Sequence, residues 1–270
     1  MELNAEIKGQ GDPILCLHGH PGCIASMSVF TDYLSQDYQT ITPDLRGYGK
    51  SVYRQDFVMQ DHLVDIIALL DRLGVEKCLV LGWSLGGMIS MELALAAPQR
   101  FSAMILVATA AHPLSSHPQE TWQDLFFTVI AGTVNYLKPA WQWNIDTFGK
   151  RSLFRYLIQK HQPETYQYLA KEAVPAYLQT SKAANNALLE AITQGYNRLP
   201  EVEQIKIPCL MLSAECDRHI TADASQKTAA HLPNCEYINY PGVAHLFPWE
   251  IPQQVLQDIQ AWLDRYQEQY

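Results

Sequence analysis

Six short apolar runs recur along the chain, most of them next to polar, glycine or proline residues. They are ILCLH (14–18), QTITP (39–43), KCLVL (77–81), AMILV (103–107), CLMLS (209–213) and EYINY (236–240). Most are continuous apolar stretches and do not alternate with polar positions, which is typical of strands covered on both faces. The pattern therefore predicts a buried and mostly parallel sheet.

Segments with the period of an amphipathic helix lie between these runs. Apolar residues recur three or four positions apart at 61–73 and 251–266, and 85–97 is rich in small and aliphatic residues. Strands that alternate with helices indicate an α/β protein, in which helices cover both faces of a mostly parallel sheet.

The alternation stops between residues 112 and 200, where several helix-like segments follow one another. This stretch holds 13 of the 28 aromatic residues, and its eight Lys and Arg outnumber its six Asp and Glu. It differs from the rest of the chain in both pattern and charge. We therefore predict a core domain of residues 1–111 and 201–270, with a helical cap inserted at 112–200.

Composition narrows the classes of function. The chain has 270 residues and a formal net charge of −9, which argues against a nucleic-acid or anionic-membrane binder, since both partners require a basic surface. No apolar run approaches the ~18 residues of a membrane span, and the first residues lack the pattern of a signal peptide. Six cysteines show no paired spacing, and Cys16, Cys78 and Cys209 lie in apolar runs, so buried free thiols and a cytoplasmic location are expected.

Ser84 lies in Gly-Trp-Ser-Leu-Gly at 82–86, between a predicted strand and a predicted helix. In that context the G-x-S-x-G motif predicts a sharp turn that exposes a nucleophilic hydroxyl. A Cβ at Gly82 or Gly86 would collide with neighbouring chain in such a turn. The alternative is a structural turn that only happens to contain a serine. We predict that Ser84 is a nucleophile, with Trp83 next to it contacting substrate.

A serine hydroxyl requires a base that an acid orients. His245 follows the last predicted strand, and Asp217 follows the strand at 209–213. Both lie in loops after strands, where open α/β sheets place function. Glu215 is the competing acid, but it lies closer to the strand end. The order Ser, Asp, His is also the one expected of this type of fold.

Two glycine-containing loops come before the nucleophile. A backbone N–H of the loop at 18–22 (HGHPG) and that of Leu85 would form an oxyanion hole, with a plain tight turn as the alternative. The His18-x-His20 spacing resembles a metal pair, but no further ligand cluster completes it, so we predict no metal or other cofactor. The loop at 44–51 lacks phosphate-loop spacing, and we expect Asp44 and Arg46 to hydrogen-bond loops near the site.

Together these motifs resemble the α/β-hydrolase superfamily over about residues 10–111 and 205–267. The resemblance implies the α/β-hydrolase fold. It assigns nucleophile, general base and orienting acid to Ser84, His245 and Asp217. It also makes His20 and Leu85 the backbone oxyanion donors. Serine at the nucleophile position differs from the aspartate of haloalkane dehalogenases and epoxide hydrolases.

Shorter stretches resemble particular branches of that superfamily. Gly-Trp-Ser-Leu-Gly-Gly and the Pro-Gln-Arg step at 98–100 are similar to the pimeloyl-carrier-protein methyl esterase of biotin synthesis. The loop at 18–22 is similar to that of proline iminopeptidases.

The resulting prediction is a serine carboxylic-ester hydrolase that forms an acyl-enzyme on a small molecule with an apolar portion. The alternatives are a lyase or C–C bond hydrolase with the same triad, a peptidase, or a non-catalytic binding protein on the same fold. Lys150, Arg151 and Arg155 predict a basic face on one helix of the cap. That face is either solvated or a docking patch for an acidic carrier protein.

Overall fold

A computed structural model describes residues 1–269 of the chain. Its strands are β1 Ala5–Lys8, β2 Pro13–Leu17, β3 Gln39–Pro43, β4 Cys78–Trp83, β5 Phe101–Val107, β6 Cys209–Ala214 and β7 Cys235–Tyr240. They form one sheet with the order β1-β3-β2-β4-β5-β6-β7. The edge strand β1 runs antiparallel to β3, and all other neighbouring pairs are parallel. The prediction of a mostly parallel α/β sheet is confirmed.

The α-helices are α1 Ser28–Leu34, α2 Asp61–Arg72, α3 Leu85–Ala96, α4 Trp122–Leu137, α5 Gln142–Thr147, α6 Pro163–Tyr168, α7 Val174–Gln179, α8 Lys182–Thr193, α9 Leu199–Val202, α10 Ala222–His231, α11 Phe247–Glu250 and α12 Pro252–Gln269. Short 3-10 helices lie at Ile24–Met27, Pro98–Arg100, Gly149–Arg151 and Leu153–Tyr156, and a π-helical stretch lies at Leu169–Ala173. Among residues 1–269, no helix is both long and apolar enough to cross a membrane.

Apolar residues cover both faces of the sheet. In β2, Leu15 and Leu17 join the cluster that contains α2, α3 and part of α10, whereas Ile14 and Cys16 join the cluster that contains α1 and α12. This alternation places one row of side chains on each face of a strand. Because both rows are buried, the strands are apolar throughout, as their sequences indicate.

The chain between β5 and β6 adds helices α4 to α9 and contributes to both clusters. We keep the division into a core (1–111 and 201–270) and a cap (112–200) as a proposal. The expectation of one basic helix face is wrong. A 3-10 turn ends at Arg151 and another begins at Leu153, because Ser152 is extended and its hydroxyl accepts a hydrogen bond from the Phe154 N–H.

The cysteines are all unpaired, and Cys16, Cys78 and Cys209 are buried as expected. Burial raises the pKa of the Cys16 thiol to about 12. A buried thiol of this kind behaves as a small apolar side chain that packs in the core.

Candidate active site

The turn between β4 and α3 holds Ser84 in a rare backbone conformation, with φ 54° and ψ −116°. A positive φ is uncommon for a residue with a Cβ and persists only when its surroundings enforce it. Here the Ser84 N–H donates to the Val107 carbonyl (2.8 Å), and the Thr109 hydroxyl donates to the Ser84 carbonyl (2.8 Å). The end of β5 and the loop that follows it therefore hold the N–H and the carbonyl of Ser84, which lies immediately before the N-terminus of α3.

Two glycines allow α3 to approach the sheet closely, as the sequence predicts. A Cβ on Gly86 would lie 2.1 Å from the Leu17 carbonyl oxygen, and one on Gly82 would lie 2.4 Å from the Gly86 carbonyl oxygen. Both contacts are with backbone, which cannot yield as a flexible side chain can. Any larger residue would displace the turn that carries Ser84.

His245 and Asp217 form a buried pair at the same end of the sheet. The His245 Nδ1 lies 2.7 Å from the Asp217 Oδ2, and both residues are buried. The other carboxylate oxygen of Asp217 accepts the N–H groups of His219 (2.8 Å) and Ile220 (3.0 Å). The carboxylate is thus an acceptor at both oxygens. It orients the imidazole with Nδ1 as the donor and Nε2 as the basic nitrogen.

Glu215, the competing acid, lies elsewhere. It is exposed, and its carboxylate accepts the Gly242 N–H (3.0 Å). The structure therefore brings Asp217, and not Glu215, to the imidazole of His245.

Ser84, Leu85, His20 and His245 line one cavity of about 400 Å³. Leu85 is the first residue of α3, so its N–H has no acceptor within the helix. The His20 imidazole lies 2.9 Å from the Tyr48 hydroxyl, and burial lowers its pKa to about 4. His20 is consequently neutral near pH 7 and adds no positive charge to the cavity.

A second cavity of about 770 Å³ lies beside the first and shares His20, Pro21, Leu157 and His245 with it. Its walls are mainly aliphatic and aromatic side chains from α4, α7 and the segments between them. Among the described residues that line the two cavities, none is Asp, Glu, Lys or Arg. The space around His245 is therefore suited to an uncharged and largely apolar molecule.

Trp83 lines the larger cavity and also supports the histidine. Its ring centre lies 5.9 Å from that of His245 and 4.7 Å from that of Trp249, which in turn stacks on Tyr168 at 4.1 Å. The predicted substrate contact of Trp83 is thus at a cavity wall that rests on a stack of buried aromatics.

His18 and Asp44 use their polar atoms within the protein. The Leu45 N–H donates to His18 Nε2 (3.0 Å), and His18 Nδ1 lies 2.8 Å from the Gly19 carbonyl oxygen. Asp44 accepts the N–H groups of Ile24 and Lys50, each at 2.8 Å, which confirms its expected role in holding loops. Among residues 1–269, no group of three or more His, Cys, Asp or Glu is arranged to hold a metal ion.

Three residues differ from their sequence-based descriptions. Arg46 does not bond a loop, since it forms a two-point ion pair with Asp65 of α2 at 2.7 and 2.8 Å. We expect His62 and His219 to be surface or cap residues, but His62 is buried in the core and His219 lines the cavity that contains Ser84. The His219 ring lies 5.0 Å from that of His245, and burial lowers its pKa to about 2. It stays neutral beside the catalytic candidate.

Glu250 is a buried residue whose function the sequence argument does not identify. Its Oε1 accepts the Ala244 N–H (2.9 Å), and its Oε2 accepts the N–H groups of Gln159 (2.9 Å) and Lys160. Burial raises the pKa of this carboxyl group. Glu250 thus ties the loop of His245 to the chain that precedes α6. The available signal is a carboxylate within the apolar run LFPWEIP.

Residues 12–252 match a family model described as alpha/beta hydrolase fold. The chain belongs to this family. As an α/β-hydrolase, it places its Ser, Asp and His candidates in the loops at the carboxyl end of the sheet.

The protein is similar to several known hydrolases and esterases. A Bacillus subtilis protein named "Uncharacterized hydrolase YugF" is 24% identical over 254 residues, which cover 91% of this chain and 88% of that protein. The pimeloyl-[acyl-carrier protein] methyl ester esterase of Vibrio parahaemolyticus is 31% identical over 140 residues, 52% of each chain. A thermophilic esterase from Thermogutta terrifontis superposes with a TM-score of 0.73 at 23% identity, covering 98% of this chain and 93% of that one. At that identity the superposition shows the shared fold.

Proposed function

We propose that this α/β-hydrolase cleaves carboxylic esters by way of an acyl-enzyme on Ser84. The observation that carries the proposal is the convergence of three groups. Ser84 is held in a strained turn, His245 is hydrogen-bonded to a buried Asp217, and Ser84 and His245 line the same cavity. A serine becomes a useful nucleophile when an oriented imidazole can accept its proton.

In the first half of the reaction, the Ser84 Oγ attacks the ester carbonyl carbon while His245 Nε2 accepts the hydroxyl proton. The N–H groups of Leu85 and His20 donate to the oxyanion, each contributing on the order of 3 kcal/mol to the barrier reduction. The imidazolium is stabilised by the Asp217 carboxylate. When the tetrahedral intermediate collapses, the proton passes from His245 to the leaving alcohol, and the acyl group remains on Ser84.

In the second half, a water molecule attacks the acyl carbonyl, and His245 Nε2 accepts its proton. Collapse of this intermediate returns the proton to the Ser84 Oγ and releases a carboxylic acid. One water is consumed, and the ester yields one acid and one alcohol.

The two cavities support a substrate with a large apolar portion. The cavity of about 770 Å³ and the cavity of about 400 Å³ that contains Ser84 meet at His20, Pro21, Leu157 and His245. An uncharged ester that spans both would place its carbonyl near Ser84 and its larger apolar group among the aliphatic and aromatic walls. The names of the Vibrio and Thermogutta relatives, both esterases, support the same class of reaction.

The proposal is tested with p-nitrophenyl esters of increasing chain length and a stoichiometric serine-directed inhibitor. We expect hydrolysis of several esters and labelling of Ser84. Ser84→Ala should lower kcat by on the order of 10⁴ to 10⁶ without loss of folded structure. Labelling of Ser84 with negligible ester hydrolysis would favour a lyase or C–C bond hydrolase, and cleavage of amino-terminal prolyl substrates would favour a peptidase. A biological activity that survives Ser84→Ala would favour a binding protein.

The cluster of basic residues Lys150, Arg151 and Arg155 gives little support to the idea that an acidic carrier protein bears the substrate. Arg155 is paired with Asp124 (2.7 Å) and Lys150 with Asp146 (2.6 Å). Two of the three cationic side chains are therefore already engaged, and we propose a free small-molecule ester instead. We also propose a reducing, cytoplasmic location, which the six unpaired cysteines support.

A further inference from the structure

The apolar side of helix α4 faces solvent, whereas the apolar side of a surface helix usually faces the core. The residues that it buries are Asp124, Ala131 and Asn135. Its exposed large apolar side chains are Trp122, Leu125, Phe126, Val129, Tyr136 and Leu137, which we call the α4 apolar face. The exposures are high, 74% for Trp122 and 76% for Leu137.

Hydrogen bonds on the inner side fix this orientation. Asp124 accepts from Arg155 (2.7 Å), and the Thr128 hydroxyl accepts from the Leu153 N–H (2.8 Å). Further along, Asn135 Nδ2 donates to the Tyr166 carbonyl (2.7 Å). Rotating α4 to bury its apolar face would break all three contacts and leave polar groups without partners, which is costly. The apolar face is therefore a fixed feature of the surface.

The α4 apolar face is continuous with the mouth of the larger cavity. Val129, Thr133 and Tyr136 of α4 line that cavity and are also exposed, and Tyr177 and Leu178 of α7 do the same. These five side chains form the rim through which an apolar group would enter. The apolar surface and the proposed substrate space are thus a single feature.

The chemistry of this surface matches a lipid–water interface. The only charged residue of α4 is Asp124, which is turned inward. Beyond the helix, Trp141 and Trp143 are exposed, and their ring centres lie 4.8 Å apart. The Lys138 Nζ lies 4.1 Å from the Trp141 ring centre. Aromatic rings with a polar edge, and a lysine close to them, are the groups that favour the interfacial layer.

We propose that the α4 apolar face docks the enzyme on a neutral or zwitterionic lipid surface, from which an ester of a long apolar chain enters the larger cavity. A second copy of the chain or another protein seated on the same face would cover the rim, whereas a lipid surface supplies substrate through it. The net charge of −9 argues against an anionic surface but does not oppose a neutral one, because the docking face carries no charge. The nature of the substrate rests on the proposed function, but the docking itself does not.

The test is binding of phosphatidylcholine vesicles, measured by co-sedimentation and flotation with the Ser84→Ala protein so that no turnover occurs. We expect binding that is at least tenfold weaker after Trp122→Glu with Phe126→Glu. Neither of these two residues lines either of the two cavities described above. The matched control is Val52→Glu with Val64→Glu, which adds the same charge at positions 64% and 66% exposed on the core, and it should bind as the parent does.

A second variant separates loss of apolar area from added charge and from misfolding. Trp122→Ser with Phe126→Ser should also lose vesicle binding. In the presence of Ser84, the same two changes should leave the hydrolysis of p-nitrophenyl acetate in solution unchanged and lower the hydrolysis of a long-chain ester in vesicles.

Equal vesicle binding by the parent and the α4 variants, or no binding by either, would overturn the proposal. A dimer in sedimentation velocity that the α4 substitutions dissociate, with no vesicle binding, would assign the face to a second copy instead. Vesicle binding by a protein that hydrolyses no ester would leave the docking surface standing and reject the proposed function alone.

Discussion

Two helices that border the proposed substrate space, α3 in the sheet core and α4 at the larger cavity, are built in opposite ways. In α3 all ten residues from Leu85 to Ala94 are buried, whereas α4 buries Asp124, Ala131 and Asn135 and exposes most of its large apolar residues. Close packing of α3 against β2 and β4 fixes the turn of Ser84, and that requirement is internal. The exposed apolar residues of α4, in contrast, would serve contacts with molecules that come from outside and enter the larger cavity. The core should therefore decide whether a reaction occurs. The helical segment at 112–200 should decide which substrate reacts.

The largest effect that this comparison predicts lies in the core. Asp217→Asn should lower kcat by about 10⁴ for every ester tested, because the amide no longer orients Nδ1 as the donor or stabilises the imidazolium. The ratio of kcat/KM between long and short esters should not change. Initial rates with p-nitrophenyl acetate and decanoate measure both quantities.

Glu215→Gln is the matched control for that change. It alters a carboxylate two residues away that accepts the Gly242 N–H and does not contact His245, so the rates should remain near those of the parent. Comparable losses from both substitutions would mean that the carboxylate pair acts on the loop as a whole and not through the imidazole.

The core could be predicted from the sequence where one strong signal fixed each element. Apolar runs, most of them continuous, identified six strands, and the glycines at 82 and 86 identified the turn. The edge strand β1 was missed because AEIK is short and half exposed. Helix α10 was missed because it packs through small and polar residues such as Ala224, Ser225 and Thr228. Neither element has apolar residues at the regular spacing that predicts a strand or a helix.

The candidate site was predictable in its three main groups, because strand-end loops and chain order point to them. The contacts of Glu250 with Gln159 and Lys160, and of His219 with His245, were not predictable, since each joins residues distant in sequence whose proximity depends on tertiary packing. The outward orientation of α4 was hidden for a related reason. An apolar stripe alone does not reveal whether it faces the core or solvent.

A second prediction concerns how the free energy of unfolding depends on pH through a histidine buried in the core. Burial lowers the pKa of His62 from 6.5 to about 3, so the folded protein keeps it neutral while the unfolded chain binds a proton below pH 6.5. The free energy of unfolding is therefore not reduced by this residue above pH 6.5, and it declines as the pH falls from 6.5 toward 3. At pH 5 the loss from one such group is about 2 kcal/mol.

His62→Gln should therefore reduce the fall in unfolding free energy between pH 7 and pH 5 by about 2 kcal/mol, measured by urea denaturation at each pH. His231→Gln, which changes an exposed histidine of α10, serves as the control and should leave the fall as it is in the parent. The same fall in all three proteins would show that acid destabilisation does not come from the buried histidine.

A third and smaller effect should arise in the helical segment. Gly132 of α4 lines the larger cavity, and the nearest atom to a Cβ at this position, from Phe154, is 3.9 Å away. Gly132→Leu would fit the helix and fill part of the cavity. We expect kcat/KM for the decanoate to fall about tenfold, equivalent to about 1.4 kcal/mol, and that for the acetate to stay the same.

Gly132→Ala is the control for the helix itself. It should raise the unfolding free energy by about 0.5 to 1 kcal/mol, since glycine weakens a helix interior, while keeping most of the cavity open. Equal losses for both esters in Gly132→Leu would place the long chain elsewhere and remove the main reason to assign substrate selection to this segment.

The smallest effect concerns the basic residues of the same segment. Lys150 and Asp146 form an exposed pair at i, i+4 (2.6 Å), and such pairs are weakened by solvent and salt. Lys150→Ala should leave both the thermal midpoint and ester hydrolysis unchanged within measurement error. Arg265→Ala, which removes a comparably exposed pair with Glu236 in the core, is the matched control and should behave alike. A selective loss of activity in Lys150→Ala, seen only with an ester attached to an acidic carrier protein, would restore the basic cluster as a docking site. It would also mean that charge as well as apolar surface on the helical segment selects the substrate.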